Sequence, residues 1–115
     1  EVSHVIATAT DILTRKDCPT AIICGNDQTA MQVYAAAAQL GLSIPQDVSV
    51  IGFDDLRLIS ETLFPQLTTV ALPYFDIGKC AAEMMIQPIP GRQATSEKIK
   101  VPCPLVERHS CRTLA

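Results

Sequence analysis

The chain has 115 residues, of which 48% are hydrophobic and 18% are charged, and its formal net charge is -3. This length is enough for one domain with a hydrophobic core, and the composition excludes a disordered chain. No apolar run approaches the roughly 18 residues that a membrane span requires, and the scattered basic residues exclude a phosphate-binding stripe, so we expect this chain alone to bind neither membranes nor nucleic acid.

The first part of the chain predicts a helix followed by a strand. Apolar residues at helical spacing predict a helix over residues 3–15, with Ser3 available as its N-cap. The continuous apolar run at 20–24 lies between turn residues and predicts a buried strand.

A second helix and a second strand complete a βαβ unit. The helix is predicted over 27–40, with Asn26 as its N-cap and Gly41 as the residue that ends it. The apolar run at 48–52 predicts the next strand. Because a helix connects the two strands, they should lie parallel in one sheet.

The second half of the chain is more irregular. The connection 56–66 is rich in apolar residues, so it should fold back as a short helix or form part of a protein contact. Residues 67–72 predict a third strand, and residues 73 to about 87 predict a helix that begins at Pro73.

The tail is predicted to be polar at first and then extended. Residues 91–97 are polar, and we expect them to be mobile. Residues 98–107 should form an edge strand, because Pro102 and Pro104 cannot donate hydrogen bonds within a central strand.

The five cysteines carry no metal-binding or disulfide pattern. They include no CxxC pair, and no pair of histidines lies nearby at zinc spacing. We therefore expect reduced thiols that serve as small hydrophobic residues, of which Cys24 is the best example, and neither a metal nor a cofactor.

Two kinds of site could use the acidic stretch VSVIGFDD at 48–55, which places carboxylates at a strand end where α/β proteins bind ligands. In an enzyme, Asp27, Asp54 and Asp55 would together hold Mg²⁺. Support for that hypothesis is weak, because adjacent carboxylates on an extended backbone point to different sides and no phosphate loop or nucleophile motif accompanies them.

A site that binds a polyol fits these residues better. Asp54 could accept hydrogen bonds from vicinal hydroxyls, Asn26 could donate and accept, and Phe53 or Tyr74 could supply a ring. Each of them also has a purely structural explanation, as a helix cap, a turn residue or a core residue.

Four segments resemble the closing part of the effector-binding domain in LacI/GalR-family transcriptional repressors. They are PTAIICGNDQTAM, GLSIPQDVSVIGFDD, PQLTTVALPYFDIGKCAAEMM and LVERHSC, and the likeness extends from residue 19 to about 111. It implies an α/β, periplasmic-binding-protein-like (type I) sensor domain that is incomplete here. A helix-turn-helix headpiece would precede this domain. Because the sequence does not begin with methionine, we expect an upstream part to be missing.

The resemblance also implies which residues contact the effector. Asn26 and Asp54 stand at the positions that contact it in the family. Family members often carry glutamine in the segment where this chain has Leu72, so Tyr74 becomes the better ring or hydroxyl contact.

Subdomain boundaries and a dimer contact follow from the same likeness. Residues 1–71 and 98–115 would form the C-terminal subdomain, and residues 72–97 would form the crossover and a helix of the N-terminal subdomain. The family's dimer contact maps onto five apolar residues, namely Leu56, Leu58, Ile59, Leu63 and Phe64.

We therefore expect the portion of a cytoplasmic repressor that senses an effector, which would be a sugar or a similar small metabolite. It would act as a homodimer or higher homo-oligomer and would reach operator DNA only through the absent headpiece. A solute-binding protein of the same fold is the main alternative, and the Mg²⁺-dependent enzyme is the second. A secretory signal or a helix-turn-helix upstream would distinguish the first two.

Overall fold

The structure is a computed structural model that describes residues 2–86 and 98–115, and it contains one four-stranded sheet. The strands are β1 (Ala21–Ile23), β2 (Ser49–Asp54), β3 (Thr68–Ala71) and β4 (Leu105–Val106). The helices are α1 (Val2–Leu13), α2 (Asp27–Gln39), α3 (Arg57–Ser60) and α4 (Tyr74–Ile86). Strand β1 pairs parallel with β2, β2 pairs parallel with β3, and β4 pairs antiparallel with β3 at the edge. The predicted α/β class and the βαβ unit are therefore confirmed. The tail does contribute an edge strand, but it consists of Leu105–Val106 alone and does not extend over 98–107 as predicted.

Helix α2 has the ends that its sequence predicts. The Asn26 side chain accepts a hydrogen bond from the Thr29 N–H at 2.8 Å, which satisfies one of the amides left unpaired at the helix start. Gly41 follows the helix with a φ of 71°, a conformation in which glycine carries no steric cost.

The core lies between helices α1 and α2 and one face of the sheet. Small residues on α2 let the helix lie close to β2. The buried hydrophobic residues are Ala9, Leu13, Cys24, Ala30, Val33, Tyr34, Ala36, Ala37, Val48, Val50 and Leu67. Cys24 is buried, as predicted, and its burial, followed by the negative charge of Asp27, raises the pKa of its thiol to about 11.

Two details of the N-terminal region differ from the prediction. Ser3 lies inside α1, so it is not the N-cap. Strand β1 is shorter than 20–24 and is not buried throughout, because Ile23 is 77% exposed. Side chains alternate between the faces of a strand, so Ile22 packs against the core while Ile23 lies on the opposite face. An apolar run alone does not reveal that only one face of a strand is covered.

The tail after β4 is fixed at the starting ends of β2 and β3. The buried Ser110 hydroxyl accepts a hydrogen bond from the Thr68 N–H at 2.8 Å and donates one to the Val50 carbonyl at 2.5 Å. The Ser110 carbonyl also accepts from the Val50 N–H at 2.9 Å. These bonds connect residues that are far apart in the sequence, and the prediction did not include them.

Helix α4 lies apart from the core. It begins one residue after Pro73, and none of its residues is buried. Within residues 2–86 and 98–115 it shares no extended packing surface with another element. The predicted helix end at about residue 87 and the polar stretch 91–97 fall outside the residues that the structure describes.

Candidate functional site

The carboxyl end of β2 carries an uncommon backbone conformation. Asp54 has a φ of 113° and Asp55 a φ of 53°, and neither residue is glycine. Such conformations cost free energy and are concentrated at functional sites. The carboxyl edge of a parallel sheet is also where α/β proteins bind ligands, so two independent features mark this turn as a candidate site.

Asp55 is occupied by contacts within the protein. Its Oδ1 accepts hydrogen bonds from Arg108 Nη2 at 2.8 Å and from Ser60 Oγ at 2.9 Å. Burial alone would raise the pKa of Asp55, but these hydrogen bonds and the charges of Arg108 and Arg57 outweigh it and lower the pKa below its ordinary value. Asp55 therefore connects the turn to α3 and to the tail.

Asp54 has a different environment. Its side chain is only partly buried, and within residues 2–86 and 98–115 no group donates a hydrogen bond to its carboxylate. The backbone nitrogen of Leu72, the residue after β3, donates a hydrogen bond to the Asp54 carbonyl oxygen over 3.4 Å. Of the two adjacent aspartates, Asp54 is the one whose carboxylate can accept hydrogen bonds from a bound molecule.

Asn26 lies at the same edge on the neighbouring strand. Ile23 and Ile51 are register partners, and Asn26 and Asp54 each lie three residues beyond them. The Asn26 Oδ1 caps α2 through the Thr29 N–H, so the Nδ2 donors are the part of this amide that a ligand could use.

The other three predicted contacts lie on β2, just after β3 and at the start of α4, and they differ in how much of each side chain is exposed. Leu72 follows β3 and is partly buried, and Tyr74 begins α4 with 65% of its surface exposed. Phe53 lies within β2 and is partly buried. Because Gly52 faces Asp27 and Leu67, the Phe53 ring extends from the opposite face of the sheet.

The third aspartate considered for metal binding is buried inside the protein. Asp27 Oδ1 accepts from Thr69 Oγ1 at 2.6 Å, and its Oδ2 accepts from the Leu56 N–H at 2.7 Å. Asp27, Asp54 and Asp55 thus have separate environments, and across the described ranges no group of three or more His, Cys, Asp or Glu side chains could hold a metal ion. The sequence signal at Asp27 was only its place in the first turn of a helix, so its bonds to distant residues were missed.

An apolar groove of about 340 Å³ lies away from the carboxyl ends of the strands, between α2, the loop after it and the end of the β2–β3 connection. Its lining residues are Tyr34, Ala37, Ala38, Leu42, Ser43, Ile44, Gln46, Phe64 and Pro65. The Tyr34 hydroxyl donates to the Pro65 carbonyl at 2.9 Å, and burial is the main cause that raises its pKa to about 12.

The five predicted dimer residues differ in their exposure, and of these five only Phe64 lines the groove. Leu56, Leu58 and Phe64 are exposed, with Phe64 at 95%, whereas Ile59 and Leu63 are partly buried and Leu63 packs against the core. Phe64 thus places an exposed apolar ring at the groove. None of the described helices is both long enough and apolar enough to cross a bilayer.

Comparison with known proteins gives one consistent result. The periplasmic binding protein-like domain family matches residues 3–111. The HTH-type transcriptional repressor PurR of Yersinia enterocolitica is 42% identical over 99 residues, which make up 86% of this chain and 29% of PurR. The chain thus spans less than a third of the length of this relative.

Solved structures agree with that match. A protein of Rhizobium etli assigned to the LacI family of transcriptional regulators is 50% identical, with a TM-score of 0.81, over 93% of this chain and 38% of that one. A LacI family transcriptional regulator from Arthrobacter sp. FB24, in complex with lactose, is 30% identical, with a TM-score of 0.80, over 96% of this chain and 41% of that one.

Proposed function

Because the chain belongs to the periplasmic-binding-protein-like domain family and corresponds to the C-terminal part of the effector-binding domain in LacI- and PurR-type regulators, we propose that it senses a small polar effector for a transcriptional repressor. The observation that carries this proposal is the Asp54 carboxylate, which lies unpartnered among the described residues on a strained turn at the carboxyl edge of the sheet. The lactose bound to the Arthrobacter regulator favours a sugar as the effector class.

In this proposal each predicted contact has a separate chemical role. Asp54 accepts hydrogen bonds from ligand hydroxyls, and Asn26 donates through Nδ2 because its Oδ1 caps α2. Tyr74 supplies an exposed ring and hydroxyl at the start of α4. Phe53 and Leu72 contribute apolar surface to the walls of the site.

The chain would contribute to two subdomains. Residues 1–71 and 98–115 form the C-terminal subdomain, and residues 72–97 form the crossover and a helix of the N-terminal one. The absence of any buried residue on α4 supports this assignment, because a helix with an apolar face requires a packing partner. The effector would then lie between the subdomains.

The apolar surface of Leu56, Leu58, Ile59, Leu63 and Phe64 would pair two copies. Phe64 is almost fully exposed beside the groove, and exposed apolar patches of this kind mark interaction sites. Effector binding would favour one arrangement of the subdomains, and the dimer would transmit that preference to DNA-binding headpieces outside this chain. Control then amounts to a difference in effector affinity between two states. Such a repressor acts in the cytoplasm and is not an enzyme.

A binding experiment on the full-length protein tests the site. A thermal-shift screen of monosaccharides, disaccharides and nucleosides identifies the effector, and calorimetry then compares the wild type with Asp54→Ala. We expect Asp54→Ala to weaken binding well over tenfold, since a buried bond to a charged acceptor contributes about 1.5–3 kcal/mol.

Asp17→Ala is the matched control, because Asp17 is an exposed aspartate that precedes β1 and so lies toward the amino end of that strand, not at the carboxyl edge of the sheet. It should bind the effector as the wild type does. An Asp54→Ala protein with wild-type affinity would remove Asp54 from the site. A full-length protein that binds its effector but no DNA would support the solute-binding alternative.

A further inference from the structure

The buried carboxylate of Asp27 lies directly beneath the candidate site. Asp27 is 1% exposed and occupies the first turn of α2, next to Asn26. Its two oxygens accept one hydrogen bond each, from the Leu56 backbone at 2.7 Å and from the Thr69 hydroxyl at 2.6 Å. A buried carboxylate is costly unless such bonds compensate it, so these two contacts define its environment.

These two bonds connect three parts of the sheet edge. Leu56 is the residue that follows the Asp54–Asp55 turn, and Thr69 lies on β3 in register with Gly52. At Gly52 a β-carbon would overlap Asp27 Oδ1 and approach Leu67 Cδ2 to 2.8 Å. A residue without a side chain is therefore needed for Asp27 to reach both partners. The Asp27 side chain thereby connects the start of α2 to the residue that follows the turn after β2 and to β3.

The turn itself requires such support. Two consecutive non-glycine residues with positive φ are strained, and they persist only where the surrounding contacts hold them. Asp55 is held from one side by Arg108 and Ser60. Asp27 holds the other side, at the backbone amide through which the chain leaves the turn.

We propose that Asp27 is a positioning residue of the effector site, which acts through the Leu56 amide to keep Asp54 in its left-handed conformation. This inference rests on the proposed function in one respect, namely that Asp54 contacts the effector. A purely structural role for Asp27, as a favourable charge at the start of α2, would leave the turn unchanged when Asp27 is removed.

The test uses NMR of the full-length protein without ligand and compares Asp27→Ala with the wild type. Two quantities are measured, namely the exchange rate of the Leu56 amide and the intraresidue amide–Hα NOE of Asp54 and Asp55, which is strong only at positive φ. In the wild type, both NOEs should be strong and the Leu56 amide protected. In Asp27→Ala, the NOEs should weaken and Leu56 should exchange at least about tenfold faster, while the Val50 amide in β2 stays protected.

Two variants separate positioning from general stability. Asp27→Asn can keep both contacts, because its oxygen accepts from Leu56 while its amide donates to Thr69, so it should restore the wild-type turn. Thr69→Val removes the other bond to Asp27 and spares the Leu56 contact, so the strong NOEs should persist although the protein loses stability. Asp27→Ser, which keeps a polar but shorter side chain, replaces Asp27→Ala if the latter does not fold.

Two results would overturn the inference. One is an unchanged turn and unchanged Leu56 exchange in a folded Asp27→Ala or Asp27→Ser protein. The other concerns the wild type alone, namely a Leu56 amide that exchanges as fast as an unstructured peptide amide. Neither measurement depends on a ligand, so a failure of the proposed function would appear in the calorimetry of Asp54→Ala and not here.

Discussion

At the scale of single residues, Asp54 combines a strained backbone with a side chain that does little for the fold. Its φ of 113° is one that glycine adopts readily and that an L-residue with a β-carbon avoids. Its carboxylate has no hydrogen-bond donor in the part of the chain that the structure describes. Asp55, with a φ of 53°, offsets its strain through Arg108 and Ser60. The strain at Asp54 is thus consistent with a role in binding.

This strain predicts an unusual order of stability. Asp54→Gly should be more stable than Asp54→Ala by about 1 kcal/mol, because glycine relieves the positive φ even after its larger unfolded-state entropy is counted. Urea denaturation of both variants measures the difference. On helix α2 the order should reverse, and Ala38→Gly should lose about 1 kcal/mol relative to the wild type. Equal stability of the two Asp54 variants would show that the turn is not strained in solution.

At the scale of elements, the connection between β2 and β3 is held by a hydrogen bond within itself and by contacts from α2 and from the tail. The Leu67 N–H donates to the Ser60 carbonyl at 2.9 Å, and Tyr34 binds the Pro65 carbonyl. Arg108 reaches from the tail and contacts both the Leu67 carbonyl and Asp55. The ion pair is largely buried, with 11% of the Arg108 side chain and 14% of the Asp55 side chain exposed. A connection with so many long-range contacts should respond to the protonation of Asp55.

The pKa of Asp55 gives the sign of that response. Because the folded-state pKa is lower than the unfolded value, the pair stabilises the protein above the unfolded pKa and loses this effect as the pH falls through the folded pKa. Between about pH 5 and about pH 3, the wild type should therefore lose more unfolding free energy than Asp55→Asn. Denaturant titrations at each pH measure this difference.

A surface aspartate provides the control for the change in net charge. Asp76→Asn removes a negative charge from the exposed helix α4, and its stability should follow the wild-type profile. Parallel profiles for the wild type and Asp55→Asn would mean that the ion pair makes no pH-dependent contribution.

At the scale of the whole molecule, apolar surface remains uncovered on α4 and on β1, in addition to the exposed residues around Phe64. Phe75 on α4 is 81% exposed, and Ile23 lies on the sheet face opposite the helices. Surfaces of this kind are expected where a chain packs against further protein. In the proposed function that further protein is the remainder of the two-subdomain sensor.

The 115-residue chain alone should therefore self-associate through α4. Phe75→Glu should shift it toward the monomer in sedimentation experiments, because the charge disfavours burial of the helix face. Ala82→Glu adds the same charge seven residues further on, on the same face of α4, and should shift the chain in the same direction. The stability of the core should not change, since no residue of α4 is buried. A monomeric wild-type chain, or unchanged association in Phe75→Glu, would contradict association through this face.

Local signals were enough to predict most of the architecture. Cap residues and periodic spacing located α2 to within a residue or two, and alternating strands and helices predicted the parallel pairing of β1 with β2. The sheet edge that carries Asn26 and Asp54 followed from that topology alone. The prediction that β1 is a buried strand was wrong, because exposure depends on which faces of a strand are covered by other elements.

The amino-acid sequence by itself determined the elements, the βαβ order and the placement of three aspartates near one edge, since these depend on neighbours within a helix turn or a strand. Only the tertiary structure decided which aspartate has which role. Asp27 is bonded to Thr69, 42 residues away, and Asp55 to Arg108, 53 residues away. Asp54 is left without such a partner among the described residues. Contacts over these separations arise when the sheet assembles, and no local pattern encodes them.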